Sequence, residues 1–437
     1  MGTGIGYKEA LMLGIGGMFG LAIFVFPGTT GKLIGSWDII AWPIAGLLMV
    51  SVGLIYSELS SAFKLNGGPV LYPKLVLGDT IISRLLSFLT SIGFFLGWTI
   101  AIVIGAITAP EYLSYAIPIG RSISIVLPIA TVVIVAVISM IGIKRSSTTN
   151  YLLTVVLLII SLGFSGWAIS KGSIANAYPL PKINPTQFLS SIGMIIGAYG
   201  AWVAIPTLYK EIRDAEKIVP SATVASIVIT AGIYTLLVVS LHMTIPNDDF
   251  ASIPTVQMSP FSYGLEKIGA PYFLKASFSL AVFLAIITTM LVGMMSIAAS
   301  IHSISEQGLL PNKISLYDKK LGGNFAFSTF IAALPSIILS AFPQYFFQLM
   351  VIGLVVGTDM PYLINIASYV CYKLKRMDRL AAFRAPYGSI LSAIAFGVIG
   401  VSSVNLSSYE LEWSFISILL ISLAFFPVEW LRKKRER

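Results

Sequence analysis

Two stretches decide the fold: GIGGMFGLAIFVFPG from Gly14 to Gly28 and GMIIGAYGAWVAIP from Gly193 to Pro206. Both are apolar enough for a bilayer and both are interrupted by glycine. Unpaired backbone groups are costly in hydrocarbon, so a membrane helix breaks only where it lines a cavity. A break leaves N–H groups at one half-helix end and carbonyls at the other. The first suit a carboxylate and the second an ammonium or Na⁺. Close packing is the other reading, because Gly16 and Gly20, like Gly193 and Gly197, form small-xxx-small pairs.

Working outward, apolar windows of about 20 residues, the length that crosses a bilayer core, run from end to end. They fall at 10–33, 39–62, 85–110, 122–143, 148–169, 188–208, 221–244, 273–301, 326–342, 345–370, 389–406 and 412–430. Of the 437 residues 56% are hydrophobic and only 11% charged, against about a quarter charged in soluble domains. The expected fold is therefore an all-α membrane protein of about twelve transmembrane helices, in one domain covering 1–437. The interrupted segments are the first and sixth. Spans 1–5 (about 10–169) and 6–10 (about 188–370) then form two repeats, each opening with a broken helix. Five spans per repeat force opposite orientations, so this is a five-plus-five inverted repeat, with two extra C-terminal helices at about 389–430. Interrupted spans at matching positions of two halves are the best sequence pointer to a transporter site.

Charge sets the orientation. With the N-terminus inside, 22 of the 28 Lys and Arg lie on the inner side, ending in the run LRKKRER, and both termini are cytoplasmic. Basic residues scattered over short joints, not clustered on one face, exclude nucleic acid as a partner. The single cysteine, Cys371, allows neither an intrachain disulfide nor a cysteine metal cluster. Gly28–Lys32 (GTTGK) has the wrong glycine spacing for a phosphate loop, and Leu33 stands where Ser or Thr is required. His242 and His302 lie near span ends, outside any metal-ligand pattern, and are expected at the membrane interface. No paired acid and base, nucleophile or metal site emerges, so an enzyme is not expected, nor any cofactor beyond a coupling H⁺ or Na⁺.

Several short motifs resemble the amino acid–polyamine–organocation transporter superfamily. Span 1 matches its GIGSIIGSGIFVLPG pattern at Gly14, Ile15, Gly16, Gly20, Ile23, Phe24, Val25, Pro27 and Gly28. Lys210–Ala222 (KEIRDAEKIVPSA) is similar to a segment after its span 6, and Ser305–Asn312 (SEQGLLPN) to one after span 8. YSEL at Tyr56–Leu59 with GGP at Gly67, and FRAPYG from Phe383, complete five motifs in order. The resemblance implies alternating access around a central site for amino acids, polyamines or related amines. It departs at Gly20-Leu21-Ala22, where the family has Gly-Ser-Gly, and at Ala201-Trp202-Val203, where it has Gly-Phe-Glu. Leu157 stands where some proton-coupled members carry lysine.

The expected site follows. Backbone of Gly17, Gly20, Leu21 and Ala22 takes a carboxylate, and backbone around Gly197, Tyr199 and Gly200 takes an amine. Tyr199 and Trp202 either cover the substrate or pack as core. The missing span 6 acid favours a neutral, apolar amino acid. The alternatives are a cationic amine or polyamine carrier with Asp359 as counter-charge, and a solute sensor on the same fold. Asp359, inside span 10 beside Pro361, reads as proton carrier, amine partner or gate, or as an acid satisfied by neighbouring helices. Thr288, Thr289 and Ser296 offer hydroxyls, either to a Na⁺ site with span 1 carbonyls or as caps for internal carbonyls. Glu58 is expected to make a structural contact at the inner end of span 2.

Overall fold

A computed structural model describes residues 4–117, 120–178, 180–253, 259–306, 310–321, 324–404 and 408–435. The helices are α1 (Tyr7–Met18), α2 (Leu21–Ile34), α3 (Asp38–Phe63), α4 (Gly68–Leu77), α5 (Ile81–Ala116), α6 (Arg121–Met140), α7 (Ile143–Lys171) and α8 (Pro185–Ala198). They continue with α9 (Ala204–Thr207), α10 (Ala215–Thr244), α11 (Pro260–Lys267), α12 (Tyr272–Glu306), α13 (Lys313–Lys320) and α14 (Ala326–Ser340). The last are α15 (Phe346–Leu354), α16 (Met360–Leu374), α17 (Gly388–Val404) and α18 (Ser408–Arg435).

Among the described residues seven helical runs are long and apolar enough to cross a bilayer. The bent pair α8 and Gly200–Thr207 makes an eighth, and three shorter apolar helices lie at Val126–Met140, Ala326–Ser340 and Gly388–Val401. The longest run, Ala22–Phe63, has 42 residues. At about 1.5 Å per residue it is about twice the ~30 Å hydrocarbon core. It turns back at Gly35, whose φ of +54° suits a residue without Cβ, and so supplies two spans. The total is the expected twelve or so. Three short helices, α4, α11 and α13, are connectors that the hydropathy windows did not reveal.

Packing follows the two repeats. The most extensive interfaces join spans five apart: α3 with α10, and α5 with α12. Spans 4 and 9 (α6 and α14) also meet. The contact of α1 with α10 has its counterpart in α8 with α3, and α7 with α12 in α15 and α16 with α5. Opposite-facing repeats generate this reciprocity.

Each end of the bundle is tied separately. At one end Ile5 N–H donates to Glu211 O and Arg213 N–H to Ile5 O, joining the starts of span 1 and of the loop after span 6. Lys64 pairs with Glu216, and Lys373 with Glu58. At the other end Ser36 donates to Asn247 (2.8 Å) and Trp37 to the Pro181 carbonyl (2.9 Å). Lys32 there donates to the Ile253 carbonyl (2.6 Å). The first is the end that the sequence makes basic.

Candidate substrate cavity between two helix breaks

Span 1 breaks at Phe19-Gly20. Gly20 is extended (φ −115°, ψ −158°), and no side chain caps the first turn of α2, whose leading N–H groups lack intrahelical partners by construction. Span 6 breaks at Tyr199, passes through a 3₁₀ turn at Gly200–Val203 and re-enters helix in α9, with a 42° bend. The carbonyls released by the breaks are held by three hydroxyls from neighbouring spans. Thr289 on α12 donates to Gly17 O (2.9 Å). Tyr362 on α16 donates to Gly200 O (3.2 Å). Tyr234 on α10 reaches both breaks, within hydrogen-bond distance of Met18 O and of Ala198 O. Nothing in the local sequence marks Tyr234 for this task; only the packing of span 7 against spans 1 and 6 exposes it.

The two breaks face one cavity of about 340 Å³, near the lower limit of small-molecule pockets. Gly17, Gly20, Ala22, Gly197, Gly200 and Thr289 are on its wall. The rest is largely apolar, with Phe94, Trp98, Met194 and Leu354, and no charged side chain lines it among the described residues. It extends along α2 to Leu33 and to Met350, away from the basic end. Toward the basic end it reaches Pro69 and Asn365, both buried, beside an aromatic stack. Trp202 lies parallel to Tyr362 with centroids 6.0 Å apart, and Tyr56 meets Trp202 edge-on at 5.2 Å.

The other expected residues are placed differently. Gly17 sits one residue inside the end of α1, so it offers a carbonyl, already held by Thr289, and no free N–H. Leu21 opens α2, and its side chain lies outside the described residues. Tyr199 and Trp202 are fully buried behind the wall. Tyr199 donates to Trp42 O (3.0 Å), fixing the break from the rear. Thr288 and Ser296 donate within their own helix, to Ala285 O and Val292 O, as polar side chains do where no water is at hand. Asp359 belongs to a π turn, Val355–Asp359. Its carboxylate meets Ser403 on α17 (2.7 Å) and is not on the cavity wall, although its neighbours Gly357, Thr358 and Pro361 are.

Both histidines lie inside the protein near the ends of their helices: His242 is fully buried and His302 nearly so. His242 Nε2 is 3.5 Å from Asp38 Oδ2 and its ring stacks on Phe250. His302 Nδ1 is 3.0 Å from Asp318 Oδ2. In both cases the carboxylate arrives from another element, which a hydropathy window does not show. Gly28–Lys32 is the helical end of α2, not a loop.

The amino acid permease family model matches residues 5–427. The branched-chain amino acid permease of Bacillus subtilis is 20% identical over 96% of this chain and 92% of its own length. The chloroplastic cationic amino acid transporter 7 of Arabidopsis thaliana is 25% identical over 70% of this chain, which spans only 55% of that longer protein. A serine/threonine exchanger of Bacillus subtilis is 27% identical over about half of each chain. With a match over nearly its whole length, and two broken spans around one cavity, this chain belongs to the amino acid permease family of the amino acid–polyamine–organocation superfamily.

Proposed function

We propose that the protein is a secondary transporter that carries a neutral, apolar amino acid across the cytoplasmic membrane by alternating access. The observation that carries this reading is a pair of helix breaks facing a single cavity whose described lining holds no charge. The uncapped first turn of α2, at Gly20, Leu21 and Ala22, binds the substrate carboxylate. The carbonyls near Gly197 and Gly200 take its ammonium. The side chain rests among Phe94, Trp98 and Leu354. A cationic substrate would leave its second charge without a partner in that wall, which is costly, and the Asp359 carboxylate is turned away from it. A branched-chain amino acid permease among the relatives agrees with an apolar side chain.

The basic end is cytoplasmic by the excess of Lys and Arg, so both termini are inside and this conformation faces outward. Transport uses an ion gradient and no bound cofactor. The test is exchange and uptake of radiolabelled amino acids and amines by the purified protein in proteoliposomes. Saturable uptake of neutral amino acids is the expected result. Uptake restricted to amines overturns the substrate assignment, and binding without translocation overturns transport.

A further inference from the structure

We infer that Asp359 is a proton-binding site on the rear of the cavity wall, and that its occupancy couples transport to protons. The inference rests on the transport reading above and names its coupling ion. Five carboxylates are buried among the described residues: Asp38, Glu58, Asp318, Asp359 and Glu429. Four lie beside a basic side chain, Glu58 and Glu429 beside Lys373 and Arg84, and Asp38 and Asp318 beside the imidazoles of His242 and His302, which are cations only when protonated. Asp359 alone meets only a hydroxyl, that of Ser403. A carboxylate held in hydrocarbon without a cation is costly, whereas the same group with a proton is a neutral hydrogen-bonding side chain.

The hydrogen inventory agrees. Ser403 Oγ lies 2.7 Å from Asp359 Oδ2 and 2.8 Å from Ile399 O. One hydroxyl proton cannot serve both acceptors. With a proton on Asp359 the chain is complete, since the carboxyl donates to Ser403 and Ser403 donates to Ile399 O. Without it, Ser403 must turn its own proton to Asp359 and release Ile399 O. Proton binding therefore reverses the direction of a buried hydrogen bond between spans 10 and 11.

The groups around the acid are few. Tyr362 follows one turn on along α16 and is the nearest titratable side chain on that helix. α17 presents Ser403. α5 presents glycines: a Cβ on Gly97 would lie 2.7 Å from Gly357 O. α15 and α18 also pack on the turn; α15 carries no titratable residue, and of the described acids of α18 Glu412 is exposed and Glu429 pairs with Arg84. The π turn is the mechanical link. Such turns carry one residue too many for the helical ladder and occur at functional sites. Its Gly357 and Thr358 line the cavity while its Asp359 faces Ser403. A change on the rear of the turn is thus felt on its front, where substrate rests, and Tyr362 continues from the turn to Gly200 O at the span 6 break.

The test reads the proton directly and then its effect. Infrared spectra of the purified full-length protein are recorded across a pH series for the wild type, Asp359→Asn and Ser403→Ala. A protonated-carboxyl band that titrates in the wild type, vanishes in Asp359→Asn and shifts in Ser403→Ala is the expected result. In proteoliposomes the wild type accelerates neutral amino acid uptake when a proton gradient is imposed, and Asp359→Asn loses that acceleration. A band unchanged in Asp359→Asn, or acceleration that persists in it, overturns the inference. Absence of any neutral amino acid exchange by the wild type counts against the transport reading instead, and the infrared result still decides whether Asp359 holds a proton.

Discussion

Gly20 and Gly200 occupy equivalent breaks but do not tolerate the same changes. A Cβ at Gly20 would meet Thr289, 3.0 Å from its Cβ, and that threonine is committed to the Gly17 carbonyl. A Cβ at Gly200 would meet Tyr362 Oη and Thr358 Cγ2 at ordinary distances of 3.6 and 3.7 Å. Gly20→Val should therefore abolish exchange in proteoliposomes at an overpacking cost of about 1–3 kcal/mol. Gly200→Ala should retain exchange, and Gly200→Leu, which fills the cavity, should lose substrate binding while the protein still inserts. Full binding by both Gly20→Val and Gly200→Leu would remove the breaks from the site. Tyr234→Phe isolates a different effect, because it deletes one hydroxyl and no volume. The carbonyl that holds its one proton, Met18 O or Ala198 O, then loses its donor, and a buried acceptor left unmade costs about 1–3 kcal/mol. The expected result is a lower thermal midpoint in detergent together with weaker substrate binding. An unchanged midpoint would mean that water replaces the hydroxyl.

At the scale of elements, the connector helix α13 caps the start of α14 from outside. Asp318 accepts from the Phe327 and Ser328 N–H groups at 2.8 and 3.0 Å, from Ser328 Oγ at 2.6 Å and from His302. The two N–H groups belong to the first turn, where helix donors lack partners. Burial raises the affinity of this carboxyl for protons, but the His302 contact and the Ser328 and Phe327 hydrogen bonds more than reverse it, so its pKa lies below the usual carboxylate range. A folded-state pKa below the unfolded one gives stability that is present above about pH 4 and is lost as the pH falls further. Thermal midpoints should drop with acidification below that value, and Asp318→Asn should be less stable at neutral pH and lose that part of the acid response. An identical acid profile in the variant would show that other carboxylates dominate. The same cap marks the limit of sequence reading. The spans and both breaks were legible, because twenty apolar residues and misplaced glycines each have one physical meaning in a bilayer. The connector α13, the tyrosine shared by two breaks and the buried histidine–carboxylate pairs were not. Each depends on a partner from another element, and a single residue surrounded by apolar neighbours carries no mark of that partner.

On the scale of the whole molecule, alternating access requires the basic end to open as the other end closes, so the contacts that shut the basic end in this conformation must part. Most are weak: Lys64 and Glu216 are about half exposed, and such pairs contribute about 0–1 kcal/mol. Glu58 is different. It is fully buried at the inner end of α3 and takes Lys373 Nζ and Tyr369 Oη from α16, and the Ala385 N–H from the segment before α17. Ser61, one turn on, accepts from Phe383 N–H in the same segment. One side chain thus fastens span 2 to span 10 and to the FRAPYG segment, directly below the aromatic stack of Tyr56, Trp202 and Tyr362. Glu58→Gln keeps the volume but gives up the charge and one acceptor, so Lys373 loses its counter-ion, and the closed basic end should be destabilised relative to the open one. A reporter cysteine at Ser303, which is buried and donates to Asn66 O at that end, placed in a Cys371→Ser background, reads the difference. Its alkylation by a soluble maleimide should be faster with Glu58→Gln than without, and saturating neutral amino acid should alter both rates. Equal rates would mean that the aromatic stack alone holds the basic end shut and that Glu58 only stitches the loop in place.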